Sequence, residues 1–422
     1  MPAPAAHKIV HATECLAAGT LAFLVQATRE LARAGVRQVL VYSRRPDTPA
    51  NVEMLFDPRV ELVEIAPPGD GFFRYALALR RALLRHLQGL EETCIHLHSS
   101  KAGFVGRLVL VGLRSRPAIF YSPHGLSFLN RRFLLPSLSF RALEWLAARV
   151  DSHLVGCSRS EAQLLDALGR RPARVLENAV DDSFFQIQRQ GTEVPLVVSM
   201  GRVCYQKAPE VFAAMAARFK IAEVPARFVW IGNGDPAGEA RLRAAGVEVT
   251  GWIDRAGVQR LLGQAAVYVQ TSRWEGMPLS VLQALAAGVP CVVNNAVGNR
   301  DAVRQGLTGF VVNRQDEALV CLRRLLLDAE LNQRFSNAAR EDASRRFSSS
   351  SFRARLLRLY QFDPQVAADA GAKPVQAATG ARLHSVDNPG FAETTPAAGV
   401  RDFPRPRPRP RAPTLLRRVA ND

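Results

Sequence analysis

The sequence predicts an α/β protein made of two Rossmann-like, doubly wound domains that face a central cleft. Its 422 residues suit two domains of about 150–200 residues each. Strand-like runs rich in β-branched residues alternate with helix-like runs, which is typical of parallel βαβ units. The alternation forms two series, separated by a polar segment with Gly and Pro, residues 186–195, that we interpret as a linker. Ligands of such sheets bind beyond the carboxyl ends of the strands, so the two facing ends would frame one cleft.

The first series predicts an N-terminal domain over residues 1–187. A run with helical spacing at 22–35 ends on a glycine and separates the first two strands. The expected strands are 8–13, 38–43, 94–99, 118–123, 153–158 and 173–178.

The second series predicts a C-terminal domain over residues 195–345. A C-terminal helix over 346–363 would follow and could cross back to the N-terminal domain. From 364 to 422 the composition changes to Ala, Pro, Thr and Gly, and Pro alternates with Arg from 404 to 410. Such a tail cannot pack a core, so we expect it to be disordered or polyproline-like. The expected strands of the domain itself are 195–202, 226–234, 247–252, 265–272, 290–295 and 309–313.

Composition narrows the environment and the partners. Lys and Arg outnumber Asp and Glu by 55 to 38, a net charge of +17, which favours an anionic partner such as a phosphorylated small molecule or an anionic lipid surface. No RNA-binding motif or zinc finger occurs, so nucleic acid is not expected. Six cysteines without a C-x-x-C pair indicate reduced thiols in the cytoplasm. No signal-peptide pattern and no run of about 18 apolar residues is seen, so no membrane span is expected.

Two cations follow the first strand of the second series. Gly201 ends that strand, and Arg202 and Lys207 lie in the loop before the next helix-like run. Two positive charges beside a helix N-terminus suit a diphosphate, because charges and free backbone amides act together. Solvated surface cations would give the same pattern.

The stretch "RWEGMPLSVLQALAAGVP" (273–290) is more specific. Pro278 stands where a helix could begin, and the backbone amides of 276–279 would be donors aimed at an anion. Glu275 precedes that helix start, and Gln283 is a polar exception on an apolar face. Glu275 could instead be a carboxylate favoured by the helix dipole, and Gln283 a buried amide bonded to backbone.

The order of these motifs, continued by "GNRDAV" and "GLTGFVV", resembles the donor half of glycosyltransferase family 4. The first half is similar to its acceptor half through "HLHSSKAG" (96–103), "YSPHGLSF" (121–128), "GCSRSEA" (156–162) and "ENAVDD" (177–182). The resemblance runs from about residue 8 to 360. It implies a retaining, metal-independent enzyme with the GT-B fold.

The resemblance also implies roles for individual residues. Arg202 and Lys207 would neutralise the nucleotide diphosphate, and Glu275 would hold hydroxyls of the donor sugar. The amides of Met277 to Leu279 would cradle the phosphates, and Gly201, Gly276 and Pro278 would also belong to the donor-binding site. Position 283 matches the second Glu of the Glu-x7-Glu motif, which grips the ribose. This sequence has Gln283 there, so the charge-assisted bond is lost and the grip on the ribose would be weaker.

Three further residues match the family pattern. His124, in "SPHG", corresponds to a histidine near the donor sugar and the leaving phosphate. Gly19 corresponds to a glycine loop near the donor phosphates, although Ala17 and Ala18 replace further glycines of that loop. Trp252 lies near the expected nucleobase, and a core position is equally compatible with it.

Two basic, apolar segments lie on the acceptor side, at 72–87 and 128–150. They suit an anionic membrane surface, and ordinary domain helices with a solvated basic face fit them equally.

We therefore expect a hexosyltransferase that uses a nucleotide-sugar, UDP-linked rather than GDP-linked. The acceptor would be a lipid-linked or growing envelope glycan, such as exopolysaccharide, capsule or lipopolysaccharide, at the inner face of the plasma membrane. No metal or other cofactor is expected. The alternatives are a non-catalytic relative that binds nucleotide-sugar or lipid, and a nucleotide-sugar epimerase or phosphorylase on the same fold. For the epimerase no paired carboxylates are seen, and for the phosphorylase no cofactor-bearing lysine can be placed.

Overall fold

The computed structural model describes residues 8–87, 93–113, 117–130, 132 and 134–362. The predicted tail at 364–422 lies outside the described residues, as do the first seven residues of the chain.

The N-terminal half forms a seven-stranded sheet in the order β3-β2-β1-β4-β5-β6-β7. Every neighbouring pair in it is parallel. The strands are β1 (Lys8–Thr13), β2 (Arg37–Tyr42), β3 (Val60–Glu64), β4 (Thr93–His98), β5 (Ala118–Ser122), β6 (His153–Gly156) and β7 (Arg174–Val175).

The helices of this half connect successive strands, as parallel pairing requires. Ser158 begins the last of them, because its side chain accepts a hydrogen bond from the Glu161 amide. The helices are α1 (Ala18–Arg33), α2 (Phe72–Arg85), α3 (Ser100–Val109), α4 (Leu134–Ala147) and α5 (Arg159–Asp166).

The second half forms a six-stranded sheet in the order β10-β9-β8-β11-β12-β13, again with parallel pairs throughout. Its strands are β8 (Leu196–Met200), β9 (Arg227–Ile231), β10 (Glu248–Val249), β11 (Ala265–Gln270), β12 (Cys291–Asn294) and β13 (Gly309–Val312). Its helices, with those that follow, are α6 (Pro209–Ile221), α7 (Pro236–Ala244), α8 (Arg255–Gln264), α9 (Leu279–Ala286), α10 (Asn299–Ala302), α11 (Gln315–Leu327), α12 (Ala329–Phe347) and α13 (Ser349–Tyr360).

The C-terminal helix packs on the N-terminal sheet. Phe352, Leu356 and Tyr360 of α13 are buried in one apolar cluster with core residues of β1 and α1. The helix predicted over 346–363 is in fact shorter: α12 ends at Phe347, and Ser348 caps α13 through the Ser351 amide.

Each sheet has a topological switch point. The strands that follow the first strand are added on one side of it, and the later strands are added on its other side. In the first sheet the switch point lies between β1 and β4, and in the second between β8 and β11. A crevice forms at the carboxyl ends of such strand pairs, which is where ligands bind in doubly wound folds.

The predicted α/β class with two doubly wound domains is confirmed. One strand, β3, was not predicted, because its sequence VELVE carries two glutamates and lies at a sheet edge. The strands predicted at 173–178 and 247–252 each shorten to two residues. All six cysteines are free thiols. Among the described helices, none combines the length and apolarity needed to cross a bilayer.

Candidate active site

The predicted site residues lie in loops and helix starts that follow the carboxyl ends of the strands. Lys207 comes after β8, Glu275 after β11, and His124 after β5. The first two follow the strands of the second switch point, so the topology itself brings their loops together.

Lys207 and Glu275 form a close ion pair. The Lys207 ammonium lies 2.6 Å from Oε1 of Glu275. Gly201 makes room for the lysine: its φ is +148°, and a Cβ there would lie 2.9 Å from Cε of Lys207. A glycine at the end of β8 therefore lets this cation reach the neighbouring loop.

Amide side chains complete the surroundings of the buried Glu275 carboxylate. Nε2 of Gln270 donates to Oε1 at 3.0 Å, and Nε2 of Gln206 donates to Oε2 at 3.4 Å. Three donors thus converge on one carboxylate, which fixes its position in the cleft.

Arg202 does not join this group. Its guanidinium is half-exposed and lies 3.9 Å from the carboxylate of Asp47, which follows β2 in the other half of the chain. The two predicted phosphate-binding cations therefore have different partners: Lys207 is paired with Glu275, and Arg202 faces Asp47 of the N-terminal half.

Helix α9 begins without a side-chain cap. Pro278 is its N-cap residue, so the helix starts at Leu279, one residue later than the prediction. The carbonyl oxygen of Met277 accepts a hydrogen bond from the Asn178 side chain at 3.0 Å. The positive end of this helix is thus held beside the loop that carries Glu275.

Gly276 lies in close contact with the loop that carries His124. A Cβ on Gly276 would be 2.8 Å from the amide nitrogen of Gly125 and 3.0 Å from the carbonyl carbon of His124. Only a glycine leaves room for this approach. The contact brings His124 and Glu275, from opposite halves of the chain, into one cleft.

His124 is half-buried, with φ at +55°. Its Nε2 lies 2.9 Å from Nδ1 of His98, and its ring packs 4.5 Å from the ring of Phe23. Burial lowers the pKa of His124 to about 3, so the imidazole is neutral at physiological pH. It can therefore act as a neutral hydrogen-bonding group and not as a permanent cation.

A buried carboxylate holds the His124 loop. Glu161 accepts hydrogen bonds from the amides of Gly125 and Cys157, each at 2.8 Å. Burial raises the pKa of Glu161, and the hydrogen bonds from Cys157 and Gly125 oppose that rise. The start of α5 and the turn after β5 are thereby joined.

Two predicted donor residues lie farther from this group. Trp252 is half-buried, and its ring lies 3.4 Å from the position of a Cβ on Gly232, at the end of β9. Gly19, in the first turn of α1, is exposed, and a Cβ there would meet nothing within 4 Å. Gly19 is thus not packed against the Lys207–Glu275 pair, and its neighbour Ala18 takes a positive φ of +47°.

Gln283 lies on α9 and is half-buried. Its backbone carbonyl oxygen accepts a hydrogen bond from the backbone amide of Ala287 at the end of the helix. The side-chain amide has no hydrogen-bond partner among the described residues. The described contacts therefore do not support the alternative that Gln283 is a buried amide bonded to backbone.

One group of described residues could offer ligand atoms to a metal ion. His11, His96 and His98 are buried, and one ligand atom from each lies within 4.8 Å of the others. Both ring nitrogens of His96 and of His98 already have hydrogen-bond partners.

Several residues that shape the site were not singled out from the sequence. Gln270 could have been noticed as a polar residue in an apolar strand, where it is now buried beside Glu275. Asn178 and Glu161 fall within recognised motifs but had no assigned role. Nothing in the local sequence marks Asp47 as a partner of Arg202.

Two Rossmann-like sheets whose loops meet in one cleft define the GT-B class of glycosyltransferases. The model for Glycosyltransferase Family 4 matches residues 19–184, and that for Glycosyl transferases group 1 matches residues 194–328. Together the two matches cover most of the chain, so the chain belongs to the glycosyltransferase family that these two models describe.

Similar proteins agree with this assignment. The UDP-Gal:alpha-D-GlcNAc-diphosphoundecaprenol alpha-1,3-galactosyltransferase of Escherichia coli is 28% identical over 277 residues, covering 60% of this chain and 70% of the relative. The prediction of a hexosyltransferase enzyme is confirmed.

Solved structures show the same fold. Sucrose-phosphate synthase from Thermosynechococcus elongatus aligns with a TM-score of 0.71 at 17% identity, over 86% of this chain and all of that one. The Anabaena protein Alr3699/HepE, in complex with UDP and glucose, aligns with a TM-score of 0.65 at 16% identity, over 84% and 99%.

Proposed function

We propose that this glycosyltransferase moves a hexose from a UDP-sugar to a lipid-linked or growing envelope glycan, with retention of the anomeric configuration and without a metal. The observation that supports this most is the Lys207–Glu275 pair at the carboxyl end of the second sheet, opposite the His124 loop. A cation, a carboxylate and a neutral imidazole meet there, and they are the groups that a sugar diphosphate donor needs.

Each group has a distinct task in the proposal. Lys207 and Arg202 stabilise the negative charge that develops on the diphosphate as the sugar departs. The start of α9, with the backbone amides of Met277 and Leu279, adds donors to the same oxygens. Glu275 binds hydroxyls of the sugar, and Trp252 lies beside the nucleobase.

His124 would act as a neutral partner of the reacting sugar. Its low pKa removes it as a source of positive charge, so it orients a hydroxyl by hydrogen bonding. Holding the donor sugar in one orientation lets the acceptor oxygen approach the face from which the diphosphate leaves, as retention requires.

The proposed donor and acceptor follow the E. coli relative, whose name gives UDP-galactose and a diphosphoundecaprenol-linked sugar. A lipid diphosphate acceptor also suits the net charge of +17.

The test is a panel of labelled UDP- and GDP-sugars, incubated with the protein and bacterial lipid extract. We expect nucleoside diphosphate release from a UDP-sugar in the presence of lipid and EDTA. We also expect NMR to show that the transferred sugar keeps the anomeric configuration it had in the donor. UDP binding without release from any donor would favour the non-catalytic alternative. Interconversion of the donor sugar without release would favour the epimerase.

Gln283→Glu is expected to tighten donor binding. Position 283 is assigned to the ribose, and a carboxylate makes stronger hydrogen bonds to hydroxyls than an amide does. We expect the Kd for UDP, measured by calorimetry, to fall by about fivefold, which corresponds to about 1 kcal/mol.

The matched control is Gln333→Glu, which makes the same charge change at an exposed position of α12. It should leave the Kd for UDP unchanged. An inactive or weaker-binding Gln283→Glu protein would show that the ribose assignment is wrong.

We also propose that helices α2 and α4 bind an anionic membrane surface. α3 packs against both, and each presents large apolar side chains to solvent, including Phe73 (86% exposed) on α2 and Leu138 (63%) on α4. Arg74, Arg81 and Arg85 on α2, Arg141 on α4 and Arg149 just after α4 are exposed too. Apolar side chains that enter the headgroup layer beside arginines are typical of peripheral binding at an anionic leaflet.

The double variant Phe73→Ser/Leu138→Ser should lose binding to phosphatidylglycerol vesicles in a flotation assay. Burial of each side chain in the headgroup layer contributes about 1.5–3 kcal/mol, so we expect a drop in partitioning of at least about tenfold. Ile221→Ser, which removes a 79% exposed side chain from the other half of the chain, is the control. The anionic-surface proposal would be refuted if the wild-type protein bound phosphatidylcholine vesicles as well as phosphatidylglycerol vesicles, or if it bound neither.

A further inference from the structure

Four histidines lie together beneath the cleft. His11 is on β1 and faces His96 of β4 directly in the parallel register. His98 lies two residues further along β4, on the same side of the sheet, because strand side chains alternate. His124 follows β5, the next strand of the sheet.

Three of these imidazoles form a continuous hydrogen-bonded chain. Nδ1 of His11 lies 3.1 Å from Nε2 of His98, and Nδ1 of His98 lies 2.9 Å from Nε2 of His124. His96 stands beside this chain: its ring lies 4.0 Å from that of His98, and its nitrogens bond to Tyr360 at 2.5 Å and Ser122 at 2.9 Å.

The chain is made of neutral rings. Burial lowers the pKa of His11 to about 4 and that of His124 to about 3, and it holds the pKa of His98 well below its ordinary value. Each ring therefore carries one N–H, and each hydrogen bond between two rings needs one donor and one acceptor. Fixing the proton on one ring fixes it on all three.

Gln38 sets the direction of the chain. Its side-chain nitrogen donates to the Thr28 carbonyl at 2.9 Å, which leaves its oxygen as the acceptor. That oxygen and Nε2 of His11 are both buried, and both lack a hydrogen-bond partner in the described part of the protein. Gln38 and His11 lie on the same face of the β1–β2 pair, so a proton on Nε2 of His11 would satisfy both atoms. Burial dominates the pKa of His11, and the Gln38 side chain opposes it by raising that pKa, as a hydrogen-bond acceptor does.

The remaining protons follow from this start. His11 carries its proton on Nε2, toward Gln38, so its Nδ1 accepts from Nε2–H of His98. Nδ1 of His98 then accepts from Nε2–H of His124. The free nitrogen of His124 is Nδ1, which is left with a lone pair.

We propose that Gln38, His11 and His98 are positioning residues that lock His124 in its Nε2–H tautomer and present Nδ1 as a hydrogen-bond acceptor. The ligand it would take is a hydroxyl of the bound sugar. This last step rests on the proposed function, whereas the tautomer does not. The alternative for the same histidines is a metal site, and the occupied nitrogens of His96 and His98 favour the hydrogen-bonded chain.

The direct test is the tautomer of His124 in the wild-type protein. Long-range ¹H–¹⁵N NMR of histidine-labelled protein at pH 7 separates protonated from unprotonated ring nitrogens, and His124→Gln assigns the signals. We expect Nε2 of His124 to be protonated and Nδ1 to be bare. An Nδ1–H tautomer, an imidazolium, or a stoichiometric metal bound to the purified protein would overturn the proposal. None of these outcomes depends on whether transfer is observed.

Two variants of His98 separate positioning from packing. In His98→Asn the amide oxygen can take the place of Nδ1 and still accept from His124, whereas in His98→Gln the longer side chain reaches toward His11 instead. We expect His98→Gln to lose the single tautomer and to lower kcat by about 10- to 100-fold with little change in the KM for the donor. We expect His98→Asn to keep the tautomer and remain within about threefold of wild type.

Tyr360→Phe is the control, since it removes the hydrogen bond to His96 and leaves the chain intact. It should not move the His124 signals. Equal loss of kcat in His98→Asn and His98→Gln, with the His124 tautomer unchanged in both, would overturn the positioning role even if the proteins fold.

Discussion

Glu275→Gln is expected to lower kcat by about 10²–10³-fold, while UDP binds as well as before or better. The carboxylate is buried and held by Lys207, Gln270 and Gln206, so it is fixed in place before any donor arrives. In the proposed function it binds hydroxyls of the sugar and not the nucleotide. Removing its charge therefore weakens the hold on the transferring sugar, and it also frees the Lys207 ammonium to interact with phosphate.

The measurement is a pair of experiments on the same protein: turnover of the UDP-sugar and calorimetric Kd for UDP. Glu275→Ala should abolish transfer, because it removes both side-chain oxygens, which leaves no acceptor for the sugar hydroxyls or for the part-buried Lys207 ammonium. Glu210→Gln is the control, since it removes a carboxylate from the exposed ion pair with Arg273 in the same half of the chain. A Glu275→Gln protein with kcat within about threefold of wild type would refute the role of this residue.

The fold could be predicted from the sequence because its signals are local and repeated. Strands such as β1 and β11 are runs of β-branched and apolar residues, and each begins within about one residue of its predicted start. The edge strand β3 was missed because two of its five residues are glutamates, which are more typical of an exposed loop. The short strands β7 and β10 were overextended, since the sequence does not show where pairing with the neighbouring strand stops.

Parts of the site could be predicted for a similar reason. Gly201, Lys207 and Glu275 lie in the loops after β8 and β11, which are neighbours in the sheet at its switch point, so topology alone brings them together. Contacts across the cleft are different in kind. The approach of Arg202 to Asp47, and of Gly276 to His124, depends on how two separate domains meet, and no sequence period records that.

Hydrogen-bonded chains of buried side chains also cannot be predicted from local sequence patterns. The motif "HLHSSKAG" was recognised, but the role of His98 depends on ring orientation, on a neighbouring strand and on the amide of Gln38. Likewise, Glu161 had no role assigned from the sequence, and the structure shows it in the first turn of α5, holding the His124 loop. In both cases the decisive fact is which hydrogen-bond partner the fold supplies.

The largest effect on stability is expected from Glu144→Ala. Arg107 of α3 is fully buried, and its guanidinium donates to Glu144 of α4 at 2.8 Å. Tyr121 of β5 donates to the other oxygen of the same carboxylate at 2.6 Å. Removing Glu144 leaves a buried guanidinium without its counter-charge, which costs about 3–5 kcal/mol in the free energy of unfolding.

Urea denaturation followed by circular dichroism measures this loss, and a lower midpoint with an unchanged m-value would attribute it to the native state. The control is Glu341→Ala, which breaks an exposed i,i+4 pair with Arg345 and should change the free energy by at most about 0.5 kcal/mol. The double variant Arg107→Met/Glu144→Leu should be more stable than Glu144→Ala, because apolar groups of similar size replace both charges. If Glu144→Ala lost no more than the control, Arg107 would have to reach solvent. In that case the Glu144 carboxylate would not be the group that links α3 and α4 to β5, the strand that precedes His124.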